Sequence, residues 1–149
     1  TKIDNGQFTD TKQLELNGLL KQYLQDYEEV YDYRNIEVTI DEQDIFNVTI
    51  NESLAVALLT NLLKNAFVHN IDGGHIRITV TKNSITFRNS GVENPLDKEH
   101  IFERFYQGTK KEGSTGLGLA IADSICRLQH LSIRYYFEQE EHCFEISRQ

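Results

Sequence analysis

The sequence predicts a two-layer α+β sandwich, with three helices packed on one face of a sheet. Three observations predict it. A long segment near the start carries apolar residues at the helical period; a Leu-rich segment in the middle divides into an apolar and an amide side; and several short runs alternate apolar and polar residues between turn-forming residues. The 149 residues suit one domain with one core, and 39% hydrophobic residues, including 10% aromatic, are enough to fill it.

Residues 14–33 read as the first helix, because Leu16, Leu19, Leu20, Tyr23, Leu24, Tyr27 and Val30 recur near the helical spacing, and it ends before Asn35. Residues 36–40 and 46–50 alternate around AspGluGlnAsp, which suggests a hairpin. The second helix begins near Glu52 behind a cap at Asn51 or Ser53. AspGlyGly at 72–74 is a turn, and residues 75–81 and 84–88 form a second hairpin around Lys82 and Asn83. A stretch from 90 to 114 holds the only proline, Pro95, and a short helical piece over 98–105; a connection of that length is usually functional. A third helix runs to Leu128, and residues 132–137 with 143–147 close the chain as a hairpin.

Residues 113–121, GSTGLGLAI, place glycines at 113, 116 and 118 where a loop runs into an apolar helix starting near Thr115. Glycine lets the backbone approach a ligand closely, and a helix N-terminus points unpaired N–H groups at an anion, so the stretch suits a phosphate cradle. Taken alone, a flexible turn closed by an ordinary helix explains it equally well. The second motif lies about fifty residues upstream, in NLLKNAFVHN at 61–70. At 100° per residue, Asn61, Asn65, Val68 and His69 share one side of the second helix, opposite Leu59, Leu63, Ala66 and Phe67. Asparagine is a poor helix former, so two in register call for an explanation, either a solvated face or a polar site.

With these two motifs read together, the chain resembles the catalytic and ATP-binding domain of bacterial two-component sensor histidine kinases, a Bergerat-fold ATPase. Asn61-Leu-Leu-Lys-Asn65-Ala is similar to the asparagine box, Asn89-Ser-Gly91 to the first glycine box, Ile-Phe102-Glu-Arg104-Phe105 to the phenylalanine box, and Gly113-Ser-Thr115-Gly116-Leu117-Gly118-Leu-Ala to the second glycine box. The resemblance implies a mixed, mostly antiparallel sheet under three main helices, with a mobile ATP lid. It implies that residues 13–149 form the catalytic domain, and that 1–12 are a hinge and the end of a preceding dimerisation helix.

The resemblance also implies roles. ATP is the cofactor, with Mg2+ held by Asn65, whose amide oxygen suits a hard cation. Asn61 stands where related ATPases carry a water-activating glutamate; an amide cannot take a proton, so the site is expected to hold ATP without rapid hydrolysis. Arg104 is the expected charge partner of the γ-phosphate. His69 is expected against the nucleotide, Phe102 and Phe105 as clips of the lid, and Thr115, Gly116, Leu117 and Gly118 around the phosphates. Lys110 and Lys111 either reach the phosphates or are solvated.

Three positions depart from the family pattern. Asn89 replaces the usual aspartate that accepts from the adenine amino group, although an amide oxygen can still accept, and Gly91 keeps the flat approach to the base. Glu93 stands where a second glycine is often found. Val68 occupies the place of a phosphate-directed lysine or arginine, so weaker ATP binding is expected; Lys64 borders the same face.

A net charge of −8 argues against a nucleic-acid surface. No apolar run reaches the length of a membrane span, and no signal peptide is legible. Cys126 and Cys143 lack metal-ligand spacing and read as reduced core thiols, as in a cytoplasmic chain. The five histidines, 69, 75, 100, 130 and 142, are followed by Asn, Ile, Ile, Leu and Cys, whereas the family's acceptor histidine precedes an acidic residue. The expected partners are therefore a histidine-bearing dimerisation domain preceding Thr1 in the parent protein, and a response regulator receiver domain. The parent is expected to be a homodimer anchored in the bacterial inner membrane, with this chain its cytoplasmic portion. A stand-alone anti-sigma-type serine kinase, a nucleotide-responsive interaction module and a gyrase-like or chaperone-like ATPase are the competing readings.

Overall fold

The computed structural model describes residues 10–91, 100–102 and 118–149. A strand, β1 (Lys12–Glu15), precedes helix α1 (Leu16–Val30), so the helix begins two residues later than its periodicity suggests and ends at the Tyr31 cap. The cause at the start is tertiary. Leu16 N–H donates to the Phe46 carbonyl, and Asn17, buried in the first turn, accepts from Phe46 N–H and donates to the Asp44 carbonyl and Glu42. These bonds pull β3 (Asn47–Ile50) alongside β1 as a separate antiparallel pair. At the other end, a 3-10 turn (Asp32–Arg34) and left-handed Asn35, φ 57°, stop the chain from continuing as helix.

The first expected hairpin does not form. Strand β2 (Glu37–Glu42) pairs in parallel with β4 (His75–Val80), not with β3. The intervening residues, including α2 (Glu52–Val68), supply the long crossover that parallel strands require. Asn51 caps α2 through a bond from Leu54 N–H at 3.0 Å. The other two hairpins are as expected, β4 with β5 (Ser84–Asn89) and β6 (Leu131–Glu138) with β7 (Glu141–Arg148). The five-stranded sheet runs β2-β4-β5-β7-β6, antiparallel except for its first pair. Residues 100–102 are a turn; the rest of the expected short helical piece lies outside the described residues.

Helix α2 lies between α1 and α3 (Gly118–Leu128) and touches β5. Leu58, Leu59, Leu62, Leu63, Ala66 and Phe67 join Ile76, Ile78, Ile85, Phe87, Phe144 and Ile146 in one buried cluster. This is the sandwich predicted: three helices on a mixed sheet. Cys126 and Cys143 are free and buried. Burial pushes their thiols up to about 12 and about 11, so both stay protonated at neutral pH.

Candidate functional site

The amide side of α2 is real, and its two ends lie beside Gly118 and Gly91. Asn61, Asn65 and His69 are half-buried at four-residue intervals, while Leu59, Leu63, Ala66 and Phe67 face the core. Val68 is buried, 8% exposed, though apart from the main cluster of core side chains. Lys64 is exposed.

At one end, Asn61 donates through Nδ2 to its own helix, the Ala57 carbonyl, at 2.7 Å. That bond fixes the amide and leaves Oδ1 facing α3: a Cβ added at Gly118 would lie 3.1 Å from it. Glycine at 118 therefore lets the start of α3 close on the first asparagine. Asn65, one turn on, makes no side-chain hydrogen bond among the described residues.

At the other end, Gly91 is wedged between α2 and the sheet. A Cβ there would stand 2.9 Å from the His69 carbonyl and 3.1 Å from His142 Cδ2. Protein neighbours alone therefore require glycine here, apart from any flat approach to a ligand. His69 is the C-cap of α2, its N–H donating to the Asn65 carbonyl. Asn89 ends β5 on the same face as Ile85 and Phe87, is 2% exposed, and donates through Nδ2 to the Ser90 carbonyl at 2.7 Å. Its Oδ1 is the one buried side-chain polar atom with no partner among the described residues. A buried acceptor left unpaired costs stability, and sites that await a donor are where such atoms persist. The stripe from Asn61 to His69 spans about 12 Å at the helical rise, with Asn65 midway.

Several residues that hold this arrangement were not legible. Asn70, fully buried, uses all its bonding capacity: Nδ2 donates to the Ala66 and His75 carbonyls, and Oδ1 accepts from Ile71 N–H and the Ser90 hydroxyl. Ser90 Oγ in turn accepts from His75 N–H at 2.8 Å. Gly74 fits beside them because a Cβ would lie 2.3 Å from both Asn70 Oδ1 and Ser90 Oγ. Arg34 supplies the positive charge that the last turn of α2 lacks, donating to the Phe67, Val68 and Asn70 carbonyls and pairing with Asp72 at 2.8 Å. On the opposite face of the sheet, the buried Glu141 carboxylate accepts from Arg77 at 2.6 and 2.9 Å and contacts His75 at 2.7 Å. Arg77 beside it holds that carboxyl below the usual range against the opposing effect of burial, with His75 adding to the lowering. Asn70 ahead of Ile71, or Ser90 after Asn89, carries no sign of burial in sequence; only the partners from distant segments reveal these roles.

Phe102 packs edge-on against Phe144, ring centroids 6.2 Å apart. Arg104, Phe105, Lys110, Lys111, Gly113, Thr115, Gly116 and Leu117, with Glu93, Pro95 and residues 1–9 of the expected 1–12 hinge, lie outside the described residues. Among the described residues no three His, Cys, Asp or Glu side chains converge as a metal cluster, so a cation reading rests on Asn65. No helix there is long and apolar enough to cross a membrane.

Residues 50–147 match the family model described as histidine kinase-, DNA gyrase B- and HSP90-like ATPase. The chain is 33% identical over 143 residues to the heme sensor protein HssS of Staphylococcus aureus (strain Newman), covering 91% of this chain and 31% of that protein. It thus spans about a third of the length of the curated relatives it matches. Among solved structures it is similar to the catalytic domain of histidine kinase ThkA, with TM-score 0.80, 24% identity, and 93% of this chain and 94% of that one covered. It is also similar to ThkA in complex with response regulator protein TrrA, with TM-score 0.73, 24% identity, and coverage of 93% and 42%.

Proposed function

The chain belongs to the histidine kinase-, DNA gyrase B- and HSP90-like ATPase family, and from that premise we propose that it binds ATP along the amide side of α2 and donates the γ-phosphoryl to a histidine on a separate dimerisation domain. The observation that carries this reading is the pair of close approaches at the ends of one helical stripe, where a Cβ on Gly118 would crowd Asn61 and one on Gly91 would crowd the His69 carbonyl. Between them stand an unbonded amide, Asn65, and, beside Gly91, a buried acceptor, Asn89 Oδ1.

The chemistry follows from those groups. Asn89 Nδ2 is committed to Ser90, so the amide presents its oxygen, which accepts from an exocyclic amino group such as adenine's and repels a carbonyl at the same position. Asn65 contributes one hard oxygen, and Mg2+, when bound with the nucleotide, neutralises phosphate charge. Asn61 orients without removing a proton, since an amide is no base and its nitrogen is held by Ala57. Val68 brings no charge, so the nucleotide is held less tightly than a cation there would hold it. Arg104 supplies positive charge at the γ-phosphate during transfer. The parent protein is a membrane-anchored homodimer whose histidine passes the phosphoryl group to a response regulator.

The test is phosphotransfer from radiolabelled ATP and Mg2+ to a supplied histidine-bearing dimerisation domain. Label on the histidine, abolished by Asn65→Ala, is the expected result. Label on a serine, or ATP hydrolysis without transfer, would contradict it.

A further inference from the structure

His142 is the one buried histidine among the described residues, 4% exposed. It stands directly opposite Asn89 in the β5–β7 register, on the same face of the sheet. Directly opposed residues of an antiparallel pair bring their side chains within about 5 Å. Its ring stacks on Tyr135, centroids 5.9 Å apart, and meets Phe137 edge-on at 4.9 Å. Its Nδ1 is 2.8 Å from the Tyr135 hydroxyl. The far edge of the ring, Cδ2 and Nε2, is the part that comes within 3.1 and 3.4 Å of a Cβ position on Gly91.

We propose that His142 is a positioning residue for the base end of the nucleotide site, fixing the Asn89–Gly91 segment by pressing its ring edge against Gly91. The inference rests on the nucleotide reading above. Tyr135 and Phe137 hold the ring from behind, the ring holds Gly91 from one side, and the His69 carbonyl holds it from the other. Asn89, two residues away, then points its oxygen into place before any base arrives. Without the ring edge, the segment must be ordered on binding, and that cost falls on affinity.

The side chain divides into two testable halves. Asparagine at 142 reaches Tyr135 as Nδ1 does but is too short for Gly91; glutamine extends to the Nε2 position and so to Gly91. The experiment measures Kd for ATP and ADP, and kcat and KM for transfer to a supplied histidine-bearing domain, for wild type, His142→Asn and His142→Gln. The expected result is a loss of about tenfold in affinity for His142→Asn, equal for ATP and ADP and independent of Mg2+. Its KM rises with kcat unchanged, because contacts to the base are the same before and during transfer. His142→Gln stays within about threefold of wild type. Asparagine matching or exceeding glutamine, a loss confined to ATP, or a fall in kcat alone would overturn the inference. Wild-type protein that bound neither nucleotide would instead remove the reading beneath it.

Discussion

At the Gly91 end of α2, Asn70 has every polar group paired, Ser90 is locked between two segments, and the edge of the His142 ring lies beside the glycine. At the Gly118 end, Asn61 and Asn65 are half-buried, and their amide oxygens bond nothing among the described residues. One end is built as an extension of the core, the other as a polar ledge. The difference matches what each end is proposed to hold. A flat base of constant shape rewards a preformed slot, whereas phosphates and a hydrated cation reward donors and acceptors not already committed to the protein. The exception at the base end is Asn89 Oδ1, buried with no partner among the described residues and proposed above as the acceptor for the base.

This contrast breaks most visibly at Gly74. Gly74→Ala drives a Cβ into Asn70 Oδ1, Ser90 Oγ and, at 2.9 Å, the Ile71 carbonyl, so the junction of α2, β4 and β5 must shift. A loss of about 3 kcal/mol in urea denaturation is expected, with nucleotide binding falling only as the fold does. At the ledge the pattern inverts: Asn65→Ala leaves the unfolding midpoint nearly unchanged and costs about 2 kcal/mol, roughly thirtyfold, of ATP affinity in the presence of Mg2+. Equal stability losses at the two positions would erase the distinction.

Arg34→Ala removes the cation from the C-terminus of α2 and leaves three carbonyls without their charged donor, a destabilisation of about 2 kcal/mol by thermal melting. Val68→Lys sharpens the comparison from the phosphate side. The position is outside the core cluster, so a lysine that reaches outward raises ATP affinity by about fivefold; no gain would show that Val68 does not face the phosphates.

The smallest effect is electrostatic. The carboxyl of Glu141 is held below its ordinary range by Arg77, so its folded-state value lies below its unfolded one. Its contribution is fully present above the unfolded pKa, about 4, and is lost as pH falls through the lower folded value. Glu141→Gln should therefore flatten the acid limb of the stability profile below that pH, and leave ATP affinity at neutral pH within about twofold of wild type.

The site was legible in sequence where chemistry conflicted with local preference. Asn61 and Asn65 stand out because asparagine is out of place in a Leu-rich helix, and Gly118 because a glycine-rich stretch leads into a different helix, α3. The strands were legible as strands, but their partners were not. Alternation in residues 36–40 and 46–50 fits any sheet; the bond from Phe46 N–H to Asn17, between segments about thirty residues apart, holds the start of β3 beside β1, and nothing in the local pattern marks β4 as the neighbour of β2. Asn70, Ser90 and His142 escaped for the same reason: a short polar side chain becomes structural only when distant strands bury it.

The central claim is that one stripe of α2 carries a base end and a separate phosphate end. Calorimetric titration of wild type, Asn65→Ala and Asn89→Ala with ATP and with adenosine, each with and without Mg2+, tests it directly. Asn65→Ala should abolish only the Mg2+-dependent part of ATP binding and leave adenosine unaffected, while Asn89→Ala should weaken adenosine and ATP by the same factor. Wild-type protein that binds neither ligand, or two variants with the same profile, would contradict it.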